Sequence, residues 1–260
     1  MIRALRTAST GMQAQQRQVE TIANNIANVN TTGFKKNRLS FRSLLYQNYT
    51  KPGANVTKET LDPSGMQIGT GTRVASSVKN HEQGDLVPTG SPLDVAIAGD
   101  GFFAVDAPDG QTYYTRDGAL HKSANGDLVT ADGFKLSDGI TIPADAQGIS
   151  IGLDGTFSWT VNGSPATGNS LSLHRFSNPA GLEAVGDNYY RETPSSGVAA
   201  QAAPASGGAG TIRHKFLERG NVAVVDELIE LIQAQRNYEL NSRTIKVGDE
   251  MMQQVNQMIR

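Results

Sequence analysis

The sequence predicts an α+β fold. Long N- and C-terminal helices pack as a coiled-coil-like pair, with an antiparallel β-rich domain inserted between them. Three observations carry this. Apolar residues recur every seventh position at both ends of the chain. Between the ends, Asp-Gly and Asn-Gly pairs recur at short intervals and separate short strand-like runs. With 28 glycines, 38% hydrophobic residues and only 6% aromatics, the composition suits loop-rich β structure better than a helical bundle. The expected division is a helical part at 1–33 and 211–260, an extended arm at 34–75, and a β-rich part at 76–210.

The first helix is expected over residues 2–29. One row of the seam is Leu5, Met12, Val19 and Ile26, and a second is Ala8, Gln15, Ile22 and Val29. Gln, Arg, Thr and Asn lie between the rows, so the apolar face is narrow. Asn28, Asn30, Thr31, Thr32 and Gly33 read as a helix stop, with Gly33 the residue for a left-handed position. Lys35 and Lys36 then suit the negative pole of the helix.

Residues 34–75 read as irregular. Leu44, Leu45, Tyr46, Tyr49, Met66 and Ile68 are large apolar anchors, spaced by the turns at Pro52-Gly53 and Pro63-Ser64-Gly65. A pure linker is usually polar and rich in Gly and Ser, so these anchors point to a segment that binds something.

Residues 76–190 carry the turn signals. They flank runs at Asp94–Ala98, Phe102–Val105, Thr112–Thr115, Leu128–Thr130, Ile149–Ile151 and Thr156–Val161. Asx-Gly pairs favour tight hairpins because both central residues need positive φ. The stretch 194–210, PSSGVAAQAAPASGGAG, is low in complexity and reads as a mobile loop or return linker.

The last helix is expected over 221–259, capped by Asn221. Val224, Leu231, Tyr238, Ile245, Met252 and Ile259 recur every seventh residue, and Leu228 broadens the stripe. A repeat sustained this long implies helix packing along its whole length. The two terminal helices together cannot hide both stripes and their flanks, so a further partner is expected.

Chemistry is sparse. There is no cysteine, hence no disulfide framework or thiolate metal site. His81, His121, His174 and His214 are far apart and lack metal-ligand spacing. No nucleophile elbow, P-loop or complete dinucleotide fingerprint occurs. The basic residues of 1–42 are dispersed among few aromatics, which argues against nucleic acid. No apolar run reaches the roughly 18 residues needed to span a bilayer, and the first residues lack the apolar core of a cleaved secretory signal. No catalytic residue, cofactor or metal is therefore expected.

Several stretches resemble a known family. ANNIANVNTTGFKK, from Ala23, is similar to the N-terminal signature of the bacterial flagellar axial proteins, the rod and hook subunits. SPLDVAIAGDGFFAV from Ser91 and YTRDGAL from Tyr114 resemble that family's β-domain motifs. GNVAVVDELIELIQAQRNYELNSRTIKVGDEMM from Gly220 resembles its C-terminal signature. FRSLLYQNYTKPGA and PSGMQIGTGTRV, together with the chain length, look most like the family's distal-rod branch; a proximal rod or hook subunit is the near alternative.

The resemblance implies a non-enzymatic subunit that assembles helically into a rigid drive shaft across the periplasm and outer-membrane ring. Its implied partners are further copies of itself, proximal rod proteins, hook protein, the peptidoglycan and outer-membrane ring proteins, and the flagellar type III export apparatus. It implies no nucleic acid and no direct membrane insertion. From another class, a monomeric glycan-binding envelope protein with helical anchors is also compatible with the residues.

Overall fold

The computed structural model describes residues 2–50 and 64–258. They form two compact units. The first comprises the described residues of Met1–Ile26, Asn37–Val78 and Ala223–Arg260, and the second comprises Ala27–Lys36 and Lys79–Val222. The chain therefore passes from one unit to the other four times, and the stretch 27–36 clusters with the second unit.

The first unit is built on two helices, α1 (Ile2–Ala27) and α2 (Val224–Met258). Asp226 and Glu227 in the first turn of α2 favour its N-terminus. Both helices are slightly shorter than expected. Val29 lies beyond the end of α1 in a turn, where the Thr31 N–H donates to the Asn28 carbonyl. Asn221 does not cap α2. Its side chain accepts from the Lys36 N–H and donates to the Asn80 and Glu82 carbonyls, all within the second unit.

The described residues of 34–75 are largely strands. The first unit has strands β1 (Asn37–Ser43), β2 (Tyr46–Thr50), β3 (Met66–Gly69) and β4 (Thr72–Lys79). β1 pairs with β4, and β2 with β3 in antiparallel register from Tyr46 opposite Gly69 to Thr50 opposite Met66. Most side chains on β1–β3 are exposed, and the sequence shows only brief alternation there, at Leu39 and Phe41 in β1 and at Met66 and Ile68 in β3.

The second unit is antiparallel β structure. Its strands are β5 (Leu86–Pro88), β6 (Val95–Ala98), β7 (Phe103–Asp106), β8 (Thr112–Thr115), β9 (His121–Lys122), β10 (Leu128–Val129), β11 (Lys135–Leu136) and β12 (Gln147–Ile151). They continue as β13 (Thr156–Val161), β14 (Ser164–Ser170), β15 (Leu173–Arg175), β16 (Glu183–Gly186), β17 (Tyr189–Arg191), β18 (Ala200–Ala202), β19 (Thr211–His214) and β20 (Phe216–Glu218). The central sheet runs β16-β17-β8-β7-β11-β10-β9. Strand alternation at 102–105 sends Phe103 and Val105 into the main core with Val95, Leu120, Phe157 and Ile212. It sends Phe102 and Ala104 into a smaller cluster with Tyr114, Phe176 and Tyr190.

The turn chemistry is partly as expected. Asn162 and Gly163 both have positive φ, at 50° and 79°, as a type I′ hairpin requires between β13 and β14. Asp187 and Asn188 do the same between β16 and β17 without any glycine. At the other Asx-Gly pairs the Asx residue keeps negative φ. Gly118 is a different case: it has no positive φ, but a Cβ there would lie 1.6 Å from the Val95 carbonyl oxygen. The Ala-rich stretch 194–210 is built in: β18 pairs with β15, and Ser196 is fully buried.

Gly33 has φ of 67°, and a Cβ on it would lie 2.8 Å from the Arg116 carbonyl carbon. Gly33→Ala should therefore destabilise the second unit by about 2 kcal/mol through backbone strain and collision. Trp159, the chain's single tryptophan, is buried in this unit and supplies the fluorescence probe for urea unfolding. An unchanged midpoint would show that the turn relaxes without cost.

Candidate functional site

The residues expected to form the helix seam are brought together around a polar line. α1 and α2 run antiparallel: Asn25 meets Glu227, Gly11 lies under Asn241, and Leu5 lies over Gly248. The α2 row facing α1 is thus Glu227, Ala234, Asn241 and Gly248, seven residues apart. Leu231, Ile245 and Met252 flank it half-buried. Val224 and Tyr238, from the same expected row, are 38% and 45% exposed. On α1, Ala8 and Ile22 are buried, while Leu5, Met12, Val19 and Ile26 are half-buried. A Cβ on Gly248 would sit 2.6 Å from Leu5 Cδ2, so that glycine serves close helix approach.

Asn25 and Glu227 were not anticipated as seam residues. The Asn25 amide donates to Glu227 Oε2 at 3.1 Å and to the Asn37 carbonyl at 3.0 Å, and its oxygen accepts from the Asn37 N–H. One buried amide thus ties α1 to α2 and to the start of β1. A polar pair at a seam position costs stability but fixes register, because any slip leaves it unpaired in an apolar seam.

α2 also carries apolar side chains that the described chain does not cover. Val225 is 69% exposed, Ile229, Ile232 and Val247 about half, Leu240 60% and Met251 45%. Leu228 is exposed as well, and Ile259 lies outside the described residues.

The arm residues divide into a root and an exposed face. Leu44 is half-buried beside Thr10, Ala14, Thr72 and Val74. Thr10 accepts from the Thr72 N–H, and a Cβ on Gly71 would lie 2.2 Å from the Thr10 hydroxyl. The Arg3 guanidinium lies over the Tyr49 ring, 5.0 Å from its centroid, and donates to its hydroxyl. Leu45, Tyr46, Tyr49, Met66 and Ile68 are exposed, with Leu45 at 90%. Gly65 has φ of 61°. Pro52, Gly53 and Pro63 lie outside the described residues.

The second unit contains a buried ionic cluster. Glu218, 1% exposed, accepts from Lys35 Nζ at 2.6 Å, from Arg116 Nη1 at 3.2 Å and from the Gly84 N–H at 2.9 Å. Lys35 also donates to the Glu82 carbonyl and Arg116 to the Gly99 carbonyl. Lys35 therefore does not serve a helix pole. Burial and the neighbouring Arg116 lower its pKa, against the opposing pull of Glu218. Burial, with Lys35, Arg116 and Lys79 nearby, pulls the His81 imidazole down to about 4. Around the cluster, Gly33 donates to the Glu218 carbonyl, Arg219 to Asn30, and Asn188 to the Thr32 carbonyl.

Three family models match the chain. "Flagella basal body rod protein" matches residues 5–35, "Flagellar hook protein FlgE/F/G D1 domain" matches 96–159, and "Flagellar basal body rod FlgEFG protein C-terminal" matches 213–258. The flagellar basal-body rod protein FlgG of Buchnera aphidicola is 43% identical over 99% of this chain and 100% of its own. That of Borreliella burgdorferi is 43% identical over the whole of both chains.

The chain belongs to the flagellar basal-body rod protein family. In Bacillus subtilis, FlgG is 40% identical and the hook-basal body complex protein FlhP 30%, each over 98% of this chain. Membership makes the chain a structural subunit of the flagellar basal-body rod, working within the hook-basal body complex. The three matched stretches contain, in turn, Lys35, Arg116 and Glu218. The ionic cluster thus joins all three family-defining regions of this rod-family chain.

Two outcomes follow from the cluster. Glu218→Ala should cost about 3–5 kcal/mol, since it leaves two buried cations without their carboxylate. A Trp159-monitored denaturation midpoint within error of wild type would refute this. His81 binds its proton less readily folded than unfolded. Its contribution is therefore intact above about pH 6.5 and declines as pH falls towards 4, by at most about 3 kcal/mol. His81→Gln should flatten that dependence between pH 6.5 and 5. An unaltered profile would assign the dependence to other groups.

Proposed function

We propose that this chain is the distal-rod subunit and that it polymerises helically into a rigid shaft. The observation that carries this reading is the uncovered apolar face of α2, from Val225 to Met251. A helix of 35 residues with so many large apolar side chains in water is poorly matched to life as a monomer. Identical subunits joined head-to-tail without closing form an open helical filament. The residues assigned to self-assembly from Leu5 to Ile26 on α1 and from Val224 to Met252 on α2 supply the helix pair and its flanks. The partners in this reading are copies of the chain, the proximal rod below, the hook above, the surrounding ring proteins and the type III export apparatus. The subunit works without catalysis.

Within this reading the arm braces neighbouring subunits. Its root is held on α1 by Thr10 and Arg3, while Leu45, Tyr46 and Met66 face outward. A wedge of that kind blocks the sliding between subunits that bending requires.

Removal of residues 2–30 and 221–260 should abolish large oligomers in sedimentation while full-length protein forms them. Equal sedimentation of both would favour the monomeric glycan-binder. Deletion of Gln47–Gly65 should leave filaments that curve under electron microscopy. Straight filaments of normal appearance would place stiffness elsewhere.

A further inference from the structure

The sequence holds two Asn-Gly pairs, Asn125-Gly126 and Asn162-Gly163. An Asn side chain followed by Gly is open to attack by the next backbone nitrogen, because Gly has no Cβ to block the approach. Whether the reaction runs depends on the freedom of that N–H and on how readily the turn reaches the attacking geometry. The fold treats the two pairs in opposite ways.

At the first pair the glycine is locked. Gly126 is buried. Its N–H donates to the Ser123 carbonyl at 2.9 Å, and its carbonyl accepts from the Ile142 N–H at 2.8 Å. A Cβ on it would lie 2.6 Å from the Ile142 carbonyl oxygen. The nitrogen is occupied, and the peptide has no room to rotate.

The second pair is open. Asn162 and Gly163 form the tip of the β13–β14 hairpin, and both are exposed, as is Ser164. Among the described residues the Gly163 N–H has no hydrogen-bond partner. A Cβ on Gly163 would meet nothing within 4 Å. The ladder begins on either side of the tip, where Val161 stands opposite Ser164 and Thr160 opposite Pro165.

We infer that Asn162 is a site of spontaneous deamidation that the fold selects over Asn125. Solvent hydroxide takes the Gly163 amide proton, the nitrogen bonds to Asn162 Cγ, and the side-chain nitrogen leaves as ammonia. The resulting cyclic imide then adds one water. Opening at the side-chain carbonyl gives aspartate, and opening at the main-chain carbonyl gives isoaspartate. Both products place a new negative charge at the hairpin tip. Their backbones differ. Aspartate before glycine suits a type I′ turn as asparagine does. Isoaspartate routes the main chain through the side-chain carbonyl and adds a methylene to the turn, so the ladder loosens from Val161 inward. Trp159 lies in that ladder opposite Ala166, and a Cβ on Gly168 would lie 2.2 Å from its ring.

The test ages full-length protein in mildly alkaline buffer. Both sites are followed by peptide mass spectrometry, with isoaspartate read by enzymatic methyl transfer. Asn162 should convert at least about tenfold faster than Asn125. In urea the two rates should converge, because both sites are then plain Asn-Gly. Aged protein should show Trp159 emission shifted to the red in proportion to its isoaspartate, while fresh Asn162→Asp protein keeps wild-type emission. No conversion at Asn162, equal rates in folded protein, or a rate difference that persists in urea overturns the inference. Isoaspartate at Asn162 without an emission change overturns the loosened ladder and leaves the modification standing. A red shift already present in fresh Asn162→Asp protein assigns the change to charge and overturns the backbone account.

Discussion

The second unit depends on one buried carboxylate. Glu218 lies near the end of a chain of 260 residues, and Lys35 lies near the start. Isolated in a low-dielectric interior, each would be strongly unfavourable. Together with Arg116 and the Gly84 N–H they form a closed set in which every charge has a hydrogen-bonded partner. Burial, with the positive charges of Lys35, Arg116 and Lys79 nearby, holds His81 beside the cluster neutral. Hydrogen bonds from Gly33, Arg219 and Asn221 then zip residues 28–36 along 218–221. The loop leaving α1 and the strand approaching α2 are thereby fixed in one small region. Closing the ends of the chain is a chemical event at Glu218 more than a hydrophobic one.

The two units solve the burial problem differently. The β unit has an apolar core that its own strands enclose, with Val95, Ile97, Val105, Phe157 and Ile212 fully covered. The helical unit buries few large side chains: Ala8, Ala14, Ile22 and Ala234 are its buried apolar residues on the two helices. Its seam is completed by Gly11, Gly248, Asn241 and the Asn25–Glu227 pair. Small and polar residues at a helix contact give close approach and a defined register but little transfer free energy. The large apolar side chains of α2 face elsewhere. On the self-assembly reading, that distribution suits a helix with two contacts, of which its own chain supplies one.

Much of this architecture was legible in the sequence. The terminal helices announce themselves by sustained seven-residue spacing, and Thr112–Thr115 and Thr156–Val161 coincide with strands. The seam's centre was harder to read because it is small and polar. Glu227, Ala234, Asn241 and Gly248 repeat every seventh residue, but a search for apolar rows passes over them in favour of Leu231 and Ile245. β1 and β3 alternate over only two apolar residues each, Leu39 and Phe41, and Met66 and Ile68, and β2 does not alternate, so these short exposed strands read as a loop. Lys35 and Asn221 misled for a different reason. Their local settings fit a helix pole and a helix cap, and only partners 47 or more positions away reveal what each does. The ionic cluster has no local signal, since its members are ordinary charged residues until the chain brings them together.

The helical unit also exposes two apolar surfaces that differ in kind. One is the stripe on α2, long and narrow. The other is on the paired strands β2 and β3, which are held to α1 through Thr10, Gly71, Arg3 and Tyr49. In the proposed assembly the two surfaces offer unlike contacts to neighbouring copies. Anchoring the strand pair to α1 keeps Leu45, Tyr46 and Met66 facing out, at 90%, 57% and 53% exposure. The same anchoring makes any load on the strand pair a load on α1, and through Asn25 and Glu227 on α2. The polar bonds that cost the subunit some stability are also what makes its helical unit respond as one piece.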